Sequence, residues 1–378
     1  MEKLIPMVEK KEDEESKDKE RLVNARRLFD NFFELKPQEK VLFITDKNPQ
    51  NTDKRLVDVF KRELQRRTVD FKEIIADENT KTQDIALLLD EFKFIWASCN
   101  WDDTGIDFYK LTEELLPQNQ SRMEDAAGIE VASLDSGGFL AEDREVVETR
   151  MTKMISRLKN ASGLHVRTSY GTDLWIKLSP DRRWVGVCGI VDPGEWDNPG
   201  AEVFTTPDEE GENGVLVLSA LQDEITKDQG VDKFVYLTIQ NGKISKIDGG
   251  ELAEKLRLYL QEHSKDEGRP LSVVQCSEVA FGASEFARSK VRDERVLYTE
   301  AGVGVLEAEK RLGTMHIAFG SNQHGVEGAS GSIESDVHID FVLPRRSLTV
   351  TAFNSLEDFN QRKNGERLID QGRLNLIY

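Results

Sequence analysis

Cysteine is scarce in this chain. Cys99, Cys188 and Cys276 lie far apart in 378 residues, so they outline neither a disulfide framework nor a CxxC metal site. Buried free thiols are expected instead. Positive charge is also short, with 51 Lys and Arg against 70 Asp and Glu and a net charge of −19. A general nucleic-acid binder needs basic surface to neutralise phosphates, so that class is excluded, and docking on anionic membranes is disfavoured. No apolar run approaches the roughly 18 residues of a membrane span. Met1 to Pro6 turns polar almost at once, without the apolar core of a signal peptide, and the expected location is the cytoplasm. Neither GxGxxG nor GxxxxGK[ST] occurs, which argues against a dinucleotide or phosphate-loop site. The turn Asp46-Lys47-Asn48-Pro49-Gln50 has no glycine, and Gly302-Val303-Gly304 reads as a turn.

What is present is ample material for two cores, with 38% hydrophobic residues. Lys10 to Arg21 is nearly all charged and reads as a frayed helix or a disordered lead-in. Strand and helix patterns then alternate. Val41–Ile44, Phe71–Ile75 and Phe92–Ala97 read as strands, with a short one at Ile129–Val131. Asp53–Arg66, Ile85–Leu89, Phe108–Leu116 and Asp143–Lys159 read as helices. This predicts an α/β N-terminal domain with a parallel sheet, residues 1–160. Beyond it, Leu164–Arg167, Asp173–Leu178, Val215–Leu218, Phe234–Leu237 and Lys243–Ile247 read as strands, with Asn241-Gly242 as a hairpin turn. Residues 161–378 are therefore expected to form a β-rich, largely antiparallel α+β domain.

The chemistry concentrates in two late strands. In Thr314–Phe319 and Ser335–Val342, side chains alternate between faces. His316 shares a face with Thr314 and Ala318. His338 and Asp340 share one, opposite Val337, Ile339 and Phe341. If the strands are neighbours, two imidazoles and a carboxylate meet on one surface, a set that suits a divalent metal.

Several segments resemble the aminopeptidase T family of metallo-aminopeptidases. Pro199-Gly200-Ala201-Glu202-Val203-Phe204-Thr205-Thr206-Pro207 is similar to its P-x-G-E-V-F-T-A-P signature. Glu300 in Thr299-Glu300-Ala301-Gly302-Val303-Gly304 resembles the E-x-G-x-G glutamate. Gly313–Gly320 resembles G-T-x-H-I-A-x-G, and Ser335–Asp340 resembles S-x-I-H-x-D. The resemblance implies that Glu202, Glu300, His316, His338 and Asp340 are the ligands of two divalent ions, zinc or cobalt. These ions would activate a water that hydrolyses N-terminal residues from peptides, with Glu300 acting in catalysis as well. The family's tyrosine is absent from Ile317–Glu327. His324 stands in that loop as a candidate proton donor or oxyanion partner. A homodimer and a peptide or small-molecule substrate are implied in the same way. The same scaffold also serves a ring-cleaving pyridine dioxygenase with one iron on two histidines and one carboxylate. His316, His338 and Asp340 supply that set without either glutamate. A non-catalytic descendant is the remaining alternative.

Overall fold

In the computed structural model, residues 5–218, 234–266, 274–287, 305–324, 326, 328–335, 337–343 and 347–375 are described. The charged lead-in is helical. α1 runs Ile5–Asn31, held where apolar residues return by Ala25, Leu28 and Phe29 in the core. Ion pairs of Arg62 with Asp18 and Arg21 with Asp135 add to this. There follow β1 (Lys40–Thr45), α2 (Lys54–Arg66), β2 (Phe71–Ile75), α3 (Thr82–Ala86), β3 (Phe92–Ser98), α4 (Leu116–Asn119), β4 (Arg122–Asp125) and α5 (Arg144–Leu158). The four strands pair in parallel in the order β2-β1-β3-β4. β1 reads as a continuous apolar run because both its faces are covered. Val41 and Phe43 pack with Leu56 and Phe60 on one side, while Leu42 and Ile44 meet Ile85, Leu89 and Leu111 on the other.

The strand expected at Ile129–Val131 is instead β4, and Val131–Leu134 forms a short 3-10 turn. The charged residues of β4 hid it. Arg122 is buried because it pairs with Glu39 at 2.8 Å. The helix expected over Phe108–Leu116 continues past it, as a π-turn over Lys110–Leu115 followed by α4. α5 is capped by Asp143, which accepts from the Glu145 and Val146 N–H groups. It sends Val147, Met151, Met154 and Leu158 into the core of the β-rich part.

That part contains β5 (Gly163–Arg167), β6 (Asp173–Leu178), β7 (Val185–Val187), β8 (Trp196–Asp197), β9 (Glu202–Thr205), β10 (Pro207–Leu218), β11 (Val235–Gln240), β12 (Lys243–Gly249), α6 (Glu251–Asp266), β13 (Cys276–Gly282), α7 (Val305–Lys310), β14 (Met315–Gly320), β15 (His338–Val342), β16 (Thr349–Phe353), α8 (Leu356–Gln361), β17 (Glu366–Asp370) and β18 (Arg373–Leu374). β8 returns to the parallel sheet and pairs with β4. The others build an antiparallel sheet ordered β12-β11-β10-β6-β5-β16-β17-β18 and a second ordered β15-β14-β13-β9-β7. Asn241 and Gly242, both at positive φ, make the expected β11–β12 turn.

The inner faces of the two antiparallel sheets share one core. Leu164, Val166, Leu174 and Ile176 come from the larger sheet, and Val203, Val279, Phe281, Ile317, Phe319 and Phe341 from the smaller. Each such side chain stabilises by roughly 1.5–3 kcal/mol. That burial fixes the register, because a one-residue slip would turn the opposite face inward. The opposite face of the smaller sheet carries the site. All three cysteines are buried free thiols.

Candidate metal centre

β14 and β15 are antiparallel neighbours, so the two histidine strands lie as their sequences require. Ala318 stands opposite Asp340, Gly320 opposite His338 and His316 opposite Val342. On the other side of β14, Ala318 is opposite Glu278 and Ala280 opposite His316. Ala280 in turn faces Phe204, and Gly282 faces Glu202. Alternation thus places Glu202, Glu278, His316, His338 and Asp340 on one surface. Between them stand Ala280 and Ala318, which add only a methyl group each to this surface.

The polar atoms converge. His316 Nε2 is 3.1 Å from Glu278 Oε1, 3.4 Å from Glu202 Oε2 and 3.7 Å from Asp340 Oδ1. His338 Nε2 is 3.5 Å from Asp340 Oδ1 and 3.9 Å from Glu278 Oε2. Ligand atoms of Glu202, Glu278 and His316 lie within 4.8 Å of one another, as do those of Glu278, His338 and Asp340. His338 Nδ1 sits 2.8 Å from the Ser321 carbonyl oxygen. A proton on Nδ1 therefore donates to that oxygen and leaves Nε2 as the lone-pair donor, the usual orientation of a metal-ligating imidazole. Glu202 Oε2 and His316 Nδ1 are buried and make no hydrogen bond among the described residues. This donor set fits a divalent ion.

The acids and imidazoles of the cluster set one another's protonation. Burial alone would push the His316 imidazole down, but Glu278, Glu202, Asp340 and Glu309 outweigh it and hold it at about 9. His338 is likewise driven down by burial and, more strongly, up to about 10 by Asp340 and Glu278. Asp340 and Glu278 would be raised by burial, yet their histidine neighbours hold both below the usual carboxylate range. Glu309 has less compensation. Burial and Asp340 push it up to about 8.

Of the expected site residues, Glu202, His316, His338 and Asp340 come together, while Glu300 lies outside the described residues. His324 is beside the cluster, its Nδ1 3.4 Å from Glu278 Oε2 and its ring 5.0 Å from that of Phe204. Burial lowers its pKa. Sequence reasoning missed Glu278, although Glu278-Val279-Ala280-Phe281-Gly282 keeps the glutamate and last glycine of E-x-G-x-G on an alternating strand. It also missed Lys310, whose Nζ lies 2.5 Å from Glu202 Oε1 with both side chains almost fully buried.

Comparison with known proteins bears on the chemistry. The NicX family model, described as 2,5-dihydroxypyridine 5,6-dioxygenase, matches residues 141–352, more than half of the chain. The 2,5-dihydroxypyridine 5,6-dioxygenase of Pseudomonas putida is 32% identical over 111 residues, which is 29% of this chain and 32% of that protein. The chain thus matches about a third of the length of this curated relative. Among solved structures, 2,5-dihydroxypyridine dioxygenase from Pseudomonas putida superposes with a TM-score of 0.66 at 17% identity, covering 94% of this chain and 97% of the other. AmpT from Thermus thermophilus gives 0.61 at 16% identity, covering 94% and 99%. At these identities the two structures establish a shared scaffold.

These findings overturn the aminopeptidase reading, and with it the assignment to the hydrolases. The family match falls on a dioxygenase and spans the residues that carry the motifs, whereas the peptidase likeness is one of fold. A metal at the His and carboxylate cluster accords with the family. Two zinc or cobalt ions draw no support from it, and the Lys310 ammonium already gives Glu202 a counter-charge. No helix among the described residues is long and apolar enough to cross a membrane. The chain belongs to the 2,5-dihydroxypyridine 5,6-dioxygenase family.

Proposed function

We propose that this protein is a ring-cleaving dioxygenase that uses one ferrous ion, held by His316, His338 and Asp340, on a hydroxylated nitrogen-containing aromatic ring. The observation that carries the reading is geometric. The Nε2 atoms of two imidazoles from adjacent strands lie 3.7 and 3.5 Å from the same carboxylate oxygen, Asp340 Oδ1. Two histidines and one carboxylate form the ligand set of ferrous oxygenases. The family match and the dioxygenase relative support the same chemistry.

When bound, ferrous iron supplies the oxygen activation that no side chain here provides. The surrounding residues have separate tasks. His338 is held in its ligating tautomer by the Ser321 carbonyl. Phe204 offers a flat apolar wall beside His324, suited to an aromatic ring. His324 is neutral near pH 7, because burial keeps its pKa low, and it can take a proton from a ring hydroxyl. Both atoms of O2 enter the product as one ring bond breaks, so no external reductant is required.

The test is to load the purified protein with ferrous iron under argon, add 2,5-dihydroxypyridine and admit oxygen. One O2 consumed per ring lost, with one iron per chain, is the expected result. Iron bound without oxygen uptake across a panel of hydroxylated pyridines and phenols would end this reading.

A further inference from the structure

We infer that Lys310 is the residue that limits this centre to one metal, by giving Glu202 the positive charge that a second ion would otherwise bring. The inference rests on the reading of the site as a single-metal centre and deepens it. The smaller sheet presents two overlapping ligand groups, Glu202/Glu278/His316 and Glu278/His338/Asp340, with Glu278 common to both. On ligand types alone this is a two-metal arrangement, in which a pair of ions about 3.5–4 Å apart shares a bridging group. The first group is altered by Lys310. Its Nζ lies 2.5 Å from Glu202 Oε1, while Oε2 is the oxygen nearest His316, so the carboxylate is neutralised through the oxygen that His316 does not face. Buried carboxylates need a counter-charge, and here a side chain provides it.

Lys310 is placed there by construction. It is the last residue of α7. Thr314 Oγ1 donates towards the carbonyl oxygens at that helix end, at 3.0 Å from that of Glu309 and 2.7 Å from that of Arg311. The Ser284 N–H donates to the Lys310 carbonyl oxygen at 2.8 Å, and the Ala201 N–H donates to Ser284 Oγ at 3.1 Å. The start of β9, the end of β13 and the end of α7 are thereby laced together around the ammonium. Two glycines make room. A Cβ on Gly282 would lie 2.2 Å from the Arg311 carbonyl oxygen. One on Gly200, which has φ of +110°, would lie 2.8 Å from Lys310 Cγ. Glu202 Oε2, by contrast, is buried without a hydrogen bond among the described residues and faces His316. Without the lysine charge, Glu202 and Glu278 offer carboxylate oxygens to a second ion beside the one held by His316, His338 and Asp340.

The test counts metal rather than turnover. The purified full-length chain, stripped of metal, is titrated with excess cobalt(II), and bound cobalt per chain is measured by elemental analysis and calorimetry. The parent is expected to bind one cobalt, Lys310→Met two, Lys310→Arg one, and Lys310→Met combined with Glu202→Gln one. Lys310→Gln, which keeps an N–H donor for Glu202 without charge, serves if Lys310→Met fails to fold, and two ions are expected for it. Magnetic coupling between the cobalt ions should appear only in the two-metal variants. A folded Lys310→Met or Lys310→Gln chain that still binds one ion overturns the inference while leaving the single-metal reading intact. Two ions in the parent overturn both, and so does a parent that binds none.

Discussion

Two groups of buried carboxylates can be compared directly. One comprises Glu202, Glu278 and Asp340 on the smaller antiparallel sheet. The other comprises Glu124, Asp125 and Asp197, on the paired parallel strands β4 and β8 with Glu124 opposite Asp197. Burial is similar, but the protonation states differ. In the first group His316, His338 and Lys310 stand among the acids, and Glu278 and Asp340 are held ionised. In the second, burial dominates. Asp125 rises to about 6 despite the Trp101 N–H, Asp197 to about 6 despite Lys310, and Glu124 goes well above the carboxylate range. Acid content alone therefore does not decide the charge of a buried carboxylate; basic neighbours keep it ionised.

The largest effect that breaks this comparison is loss of a ligand. Asp340→Ala removes the carboxylate common to both histidines, so metal retention should fail and oxygen uptake should fall by about 10³-fold or more. Elemental analysis alongside an oxygen electrode reads both quantities. Metal content and turnover close to those of the parent would remove Asp340 from the centre.

Next in size is one substitution made in both regions. Glu202→Met strands the buried Lys310 ammonium and should cost about 3–5 kcal/mol. Glu124→Met replaces a carboxyl whose two oxygens make no hydrogen bond among the described residues, and should stabilise by about 1 kcal/mol. The size of this gain is pH-dependent. Because the folded-state pKa of Glu124 is raised, the parent loses stability as pH climbs above the ordinary value of 4.5. The advantage of methionine should therefore be larger at pH 7 than at pH 4. Denaturant unfolding at both values checks this, and equal costs for the two variants would erase the distinction between the regions.

How legible each region was in the sequence follows the same division. His316, His338 and Asp340 were readable because polar residues interrupt strict apolar alternation, and the pairing of β14 with β15 needed no knowledge of distant contacts. Glu278 has the same alternation, but Ala280 in place of a motif glycine drew attention to Glu300 instead. Lys310 was not readable. It ends a six-residue helix, and its meaning lies wholly in contact with a residue far away in the chain. β4 was missed for a related reason, since Arg122 and Glu124 look like surface residues until Glu39 and β8 cover them. The α/β alternation and the β-rich half were plain from periodicity. Which acids stay charged was decided by tertiary neighbours.

The smallest effect concerns a carboxylate just outside the comparison. Glu209 holds the segment that carries His324. It accepts from Asn322 Nδ2 at 2.9 Å, from the Ser332 N–H and Oγ at 2.7 Å each, and from Arg182 at 2.9 Å. Burial would raise its pKa, but these donors prevail and bring it down to about 2. With the folded value below the ordinary 4.5, its contribution is complete above pH 4.5 and drains away as pH falls towards 2. Glu209→Gln keeps the shape and one acceptor, so it should cost about 1 kcal/mol at pH 7 and much less near pH 2. The two unfolding curves should therefore converge on acidification. If they stay parallel down to pH 2, the charge on Glu209 is not what secures the His324 segment, and that segment is held by the Asn322–Ile333 hydrogen bonds instead.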